Sequence, residues 1–127
     1  MKRRILVVGY REIPVEIHAI LIAHNEDFEI VPTAGGLDSL EKVTEENVDL
    51  IITGLWMVPV SGLTLSRIVR NSSSLSGIPI IVVTIFPLDA KEKETILEEA
   101  NVLVESFVPE EALIRKIHEL LPEQHAA

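Results

Sequence analysis

Short runs of β-branched and aliphatic residues recur along the chain: Ile5-Leu6-Val7-Val8, Glu29-Ile30-Val31-Pro32, Leu50-Ile51-Ile52-Thr53, Ile80-Ile81-Val82-Val83-Thr84 and Val102-Leu103-Val104. Three of them are apolar throughout or nearly so, which is the pattern of strands in a parallel sheet covered on both faces. The segments between them repeat at helical spacing. Val15, Ile17, Ile20, Leu21 and Ile22 predict a broad apolar face on a first helix, with Pro14 suited to its first turn. Leu37, Leu40 and Val43 predict a second helix entered through Gly35-Gly36. A third is predicted from Ser61, presenting Leu63, Leu65, Ile68 and Val69 and stopping in Asn71-Ser72-Ser73-Ser74. A fourth, Asp89 to Ala100, begins on a capping Asp and has few apolar positions beyond Ile96 and Leu97, so thin packing is expected. The last starts at Pro109-Glu110-Glu111, where proline and negative charge both suit a helix N-terminus, and buries Leu113, Ile114, Ile117 and Leu120 before Pro122.

A β-α alternation repeated five times predicts an α/β doubly wound sheet, and right-handed crossovers leave few topologies. The expectation is a five-stranded parallel sheet of flavodoxin-like order 2-1-3-4-5, formed by residues 1–121, with 122–127 as a tail or linker stub. Chemistry in such sheets sits beyond the C-terminal ends of the strands. That singles out Gly9, Tyr10, Gly54, Thr84, Ile85 and Glu105.

Composition narrows the function. At 127 residues one cooperative core is enough, since a chain near 150 residues buries roughly 70% of its unfolded surface. Aromatics are only 4%, so that core must be built of Ile, Val and Leu. A net charge of −9 repels phosphate backbones and anionic lipid, which argues against nucleic-acid and membrane roles and in favour of protein partners. The absence of cysteine excludes disulfides and thiolate metal sites, in keeping with a reducing cytoplasm. Lys2-Arg3-Arg4 resembles a signal-peptide start, but the apolar run after it ends at Gly9, and no stretch approaches the ~20 apolar residues of a membrane span.

A series of short matches, in order and at the right spacing, resembles the CheY-like response-regulator receiver domain from Arg4 to about Leu121. They are Arg4-Ile5-Leu6-Val7-Val8, Val48-Asp49-Leu50-Ile51-Ile52, Met57 followed five residues on by Gly62-Leu63, Ile78-Pro79-Ile80-Ile81-Val82-Val83-Thr84, and Phe107-Val108-Pro109-Glu110-Glu111-Ala112-Leu113. The resemblance implies a phosphate-accepting Asp, Mg²⁺ held by that Asp and an acidic pair, and a Lys-Pro after the fifth strand. Here the acceptor position is Gly54, the acidic pair is Gly9-Tyr10, and the Lys-Pro is Glu105-Ser106. Mg²⁺ requires hard oxygen ligands, and none of the three carboxylates is present. A carboxylate in place of the lysine would repel a phosphate by at least ~1 kcal/mol even in water-like screening at about 4 Å. Thr84 matches the family's hydroxyl switch, but the small residue after it is Ile85, whose side chain is sized to fill the vacant space, and the coupled aromatic is Val102.

Each singled-out residue has a plainer reading. Gly54 is either a point of close backbone approach or the remnant of a lost site. Thr84 is a switch hydroxyl or a buried Thr bonded to nearby backbone. Glu12 and Glu105 form a candidate cation pair or are two separate solvated carboxylates. His18, His24, His118 and His125 lack a metal-ligand spacing and default to the surface. Trp56 either anchors a partner from the surface or folds over the pocket beside Tyr10. Lys91, Lys93, Arg115 and Lys116 lie where the resemblance implies a dimerisation and docking surface of fourth helix, fifth strand and fifth helix.

The expectation is a phosphorylation-independent receiver-like module, a pseudo-receiver of two-component signalling, that binds a protein partner or another signalling domain, with no metal, no cofactor and no enzymatic activity. The alternative is a small-ligand sensor lined by Tyr10, Trp56 and Ile85. No nucleophile paired with a base, no dinucleotide fingerprint and no P-loop supports an enzyme.

Overall fold

The computed structural model describes residues 2–9, 13–35, 37–57, 60–105 and 109–121. Its elements alternate strictly: β1 (Arg3–Val8), α1 (Val15–Ala23), β2 (Phe28–Thr33), α2 (Leu37–Glu45), β3 (Leu50–Gly54), α3 (Gly62–Asn71), β4 (Ile80–Thr84), α4 (Ala90–Leu97), β5 (Val102–Glu105) and α5 (Glu110–Leu120). All four strand pairings are parallel, in the order β2-β1-β3-β4-β5, the flavodoxin-like arrangement. Three apolar runs are the inner strands β1, β3 and β4, whose apolar residues from Ile5 to Val8, Leu50 to Ile52 and Ile80 to Val83 are almost wholly buried, while the run Val102 to Val104 is the less buried edge strand β5. Pro32, which has no N–H to give, sits on the edge strand β2.

The two faces of the sheet are covered unequally. Ile17 and Leu21 of α1 and Leu113 and Ile117 of α5 pack with Ile5, Val7 and Ile52 on one face. Val43, Leu65, Val69 and Ile96, from α2, α3 and α4, pack with Leu6, Val8, Ile51 and Val82 on the other. The caps follow the expected chemistry. The Ser61 hydroxyl accepts from the Thr64 N–H at 3.1 Å. Asp89 and Glu92 form a reciprocal capping box on α4, at 2.8 and 3.0 Å. Pro14 and Pro109 are the residues just before the first helical turn.

Several expectations are corrected. Val15 and Ile22, assigned to the inward face of α1, point outward at 72% and 60% exposure, and His18 takes an inward position. Ile68 and Leu97 are likewise on the outer sides of α3 and α4. The fourth helix ends at Leu97 rather than Ala100, although Ala100 is buried. Its thin packing is as expected, with Ile96 its one buried residue. The proposed tail 122–127, Gly36 and the side chain of Leu37 lie outside the described residues. Among the described residues no helix is long and apolar enough to cross a membrane.

Candidate functional site at the C-terminal edge of the sheet

Parallel strands end together, so the register decides which residues meet at the site edge. Val8 pairs beside Thr53, Gly54 beside Val83, and Thr84 beside Glu105. Gly9, Gly54, Thr84 and Glu105 therefore lie along one edge, while Tyr10 and Glu12 fall outside the described residues.

Gly9 has φ +74° and donates its N–H to the Thr33 carbonyl at 3.0 Å. This left-handed conformation comes freely to glycine and costs an ordinary L-residue about 1 kcal/mol. Gly54 is buried at the end of β3, and its carbonyl accepts the Thr53 hydroxyl at 2.9 Å. The chain then turns tightly: Leu55 N–H donates to Val83 O at 3.1 Å, and Gly62 N–H donates back to Leu55 O at 2.9 Å. A methyl at Gly62 would be driven into the Gly54 carbonyl, so the start of α3 closes directly onto the strand end. Met57 folds under this turn, its sulfur 3.8 Å from the Thr53 hydroxyl.

Thr84 is buried, and its hydroxyl accepts from the Phe86 N–H at 3.2 Å, an arrangement that commits it to the local turn. Ile85 does not fill the space between the strand ends; it is 54% exposed, because the same turn swings it outward. Glu105 is engaged by Lys93 of α4, with Nζ 3.1 Å from its carboxylate. The edge thus replaces the lysine expected from the resemblance with an acid that carries its own counter-ion, and the Lys93 ammonium is held inside the chain.

Trp56 is 52% exposed and forms one wall of a groove of about 330 Å³ between α3 and α4, with Leu55, Leu63 and Ile96 as further apolar lining and Lys91 and Thr95 on the α4 side. Arg115 and Lys116 are exposed on α5, with Lys116 4.0 Å from Glu119. The histidines depart from a uniform surface placement. His18 is buried, His24 lies 3.6 Å from Asp27 and 3.5 Å from Glu110, and His118 packs its ring against Phe28 with centroids 5.5 Å apart. His125 lies outside the described residues. Among the described residues no group of three His, Asp or Glu side chains converges as metal ligands would.

Sequence reasoning missed two side chains that organise the opposite edge. Arg4 pairs with Glu29 at 2.9 Å and Glu46 at 3.0 Å, and the Glu29 hydrogen bond holds its guanidinium still more firmly protonated than usual. Arg70 reaches the carbonyls of Ile78 at 2.7 Å and Glu99 at 2.8 Å and the Asn101 side chain at 2.7 Å. Burial lowers its pKa, an effect the neighbouring Glu99 charge opposes. Their partners lie up to 42 residues away in sequence, beyond any local pattern.

A family model described as the response regulator receiver domain matches residues 5–119. The polar-differentiation response regulator DivK of Brucella ovis is 28% identical over 93 residues, covering 73% of this chain and 75% of that protein. A putative response regulator from Chloroflexus aurantiacus superposes with a TM-score of 0.80 at 18% identity, covering 94% of this chain and 98% of its own. The receiver domain of a sensor histidine kinase from Pseudomonas aeruginosa PAO1, described with a magnesium ion coordinated in its active-site cleft, gives 0.75 at 18% identity, with 94% and 98% covered.

Proposed function

The chain belongs to the response regulator receiver family of two-component signalling, and from that premise we propose that it is a pseudo-receiver, working without phosphorylation by binding a protein partner or another signalling domain in the cytoplasm. The observation that carries this reading is the C-terminal edge itself: Gly9 and Gly54 offer only backbone, and Glu105 is already paired with Lys93. A receiver of the usual kind needs carboxylates there to hold Mg²⁺ and a lysine to meet the phosphoryl group. The described donors do not fit the ion, since Gly9 and Gly54 bring no carboxylate and the Glu105 charge is answered by an ammonium. No turnover is proposed for the chain. The edge of β5 flanked by α4 and α5, with Arg115 and Lys116 exposed beside it, is the surface on which a homodimer or partner contact is proposed from the resemblance.

The test is incubation of the purified chain with acetyl phosphate and Mg²⁺ followed by intact-mass measurement. No one-phosphoryl mass gain is expected, and a stoichiometric adduct sinks the reading. Gly54→Asp alone is expected to remain unmodified, because Gly9 and Glu105 still deny the metal and the phosphoryl group their partners. The small-ligand alternative is not retained: Ile85 turns out to solvent, and Trp56 walls the α3–α4 groove.

A further inference from the structure

We propose that the groove between α3 and α4 receives one large apolar side chain of a partner polypeptide whose flanking residues are basic. This inference rests on the protein-binding reading above and adds a second surface, separate from the β5 edge. The groove, about 330 Å³, is at the bottom of the ~300–1,000 Å³ range of ligand pockets, room for one ring-sized group. Its apolar lining comes from Leu55, Trp56, Leu63 and Ile96.

Two observations select a side chain on a polypeptide over a free small molecule. Small-molecule sites orient their ligands through a few placed polar groups. Here three of the four polar lining residues are committed to the helices that build the groove: the Ser61 hydroxyl caps α3 at 3.1 Å, the Thr95 hydroxyl donates to the Lys91 carbonyl at 3.0 Å, and the Glu92 carboxylate accepts from the Asp89 N–H at 3.0 Å; the fourth, Lys91, is exposed. An anchor tethered to a backbone takes its orientation from that backbone. The apolar surface also continues past the groove. Gly54 and Val83 are register partners, so the β3–α3 and β4–α4 turns leave the sheet side by side. They carry Trp56, Ile85 and Phe86 at the same edge, each more than half exposed, where large hydrophobics cost solubility unless something covers them.

Charge selects the flanks. Lys91 and Glu92 are the charged residues of the lining and offset each other, but the segment Asp89–Glu99 that contains α4 carries five carboxylates against two lysines, and the Lys93 charge is already answered by Glu105. The chain as a whole bears −9. A basic segment is steered to this rim, and an acidic one is repelled.

The experiment titrates the isotope-labelled full chain with three synthetic peptides and follows backbone amides and the Trp56 indole by NMR. One peptide has a central Trp between lysines and arginines, the second replaces that Trp with Ala, and the third keeps the Trp between glutamates. The first is expected to give saturable shifts at Trp56, Leu63, Thr95 and Ile96. Loss of the anchor or reversal of the flanks is expected to weaken binding by about tenfold or more. Thr95→Arg, which places a long side chain in the groove, is expected to abolish the shifts with an unchanged melting temperature; Trp56→Ala is the second variant should the first unfold. The inference is overturned if the shifts map to α5 and the β5 edge, if the glutamate-flanked peptide binds equally, or if no peptide saturates the lining amides at millimolar concentration. A phosphoryl adduct from acetyl phosphate would remove the function proposed above whatever the peptides do; failure of the peptides without an adduct removes only the groove.

Discussion

The two ends of the same sheet have been treated very differently. At the N-terminal end, β1 and β2 are tied by Arg4 and Glu29, and the Arg4 N–H meets the Asp49 carboxylate at 2.7 Å just ahead of β3. Asn101, just ahead of β5, accepts from both Arg70 and the Ile80 N–H at 2.7 and 2.8 Å, which joins α3, β4 and β5. At the C-terminal end, where chemistry is expected of this fold, the described residues include two glycines, a threonine turned into its own loop, the Thr33 hydroxyl bonded to the Asp38 carboxylate at 2.6 Å, and the Lys93–Glu105 ion pair, with side chains 44% and 32% exposed. Charged hydrogen bonds survive where they hold strands in register. Among the described residues of the C-terminal edge, the exposed apolar side chains Trp56, Ile85 and Phe86 stand beside these few polar contacts.

This contrast can be broken by substitution. The largest effect is expected at Gly62→Ala, where the new methyl meets the Gly54 backbone and neither side can yield. A loss of about 3 kcal/mol in urea unfolding is expected, the upper end of overpacking costs. Arg70→Ala should follow, at about 2 kcal/mol, because it strands the Glu99 and Ile78 carbonyls and one partner of Asn101. Asp89→Ala removes the capping box and should lower the denaturation midpoint by the equivalent of about 1 kcal/mol. The smallest effect belongs to the C-terminal edge itself. Lys93→Ala should cost less than about 1 kcal/mol, and the cost should shrink further in high salt, since the two side chains of its ion pair are 44% and 32% exposed. If Lys93→Ala proves more damaging than Arg70→Ala, the assignment of stability to one end of the sheet is reversed.

The strands were legible because each apolar run is its own evidence: stretches such as Ile80 to Val83, unbroken by charge, mark strands, and the three longer ones are the inner strands, while the short run Val102 to Val104 is the edge strand β5. The helices were legible as helices but not always in their facing. On α1 seven of nine residues are apolar, so periodicity could not tell that Val15 and Ile22 face out while His18 turns in. The candidate site was legible as positions at the ends of the strands. Gly9, Gly54 and Glu105 could be placed by their position after the strands, but Ile85 could not be aimed, because its direction is set by a hydrogen bond between Thr84 and Phe86.

What this chain determined on its own is therefore local: apolar runs of strand length, caps at Ser61 and Asp89, and glycines at positions 9 and 54 where the first and third apolar runs end. Each depends on neighbouring residues and on elementary preferences of backbone and side chain. Tertiary structure alone decided the pairings across long separations, Arg4 with Glu46, Arg70 with Asn101 and Lys93 with Glu105, and the meeting of Trp56 with Ile96 in one groove. Those contacts exist because parallel strands carry distant residues to a common edge, and a pattern read along the chain contains no distance across it.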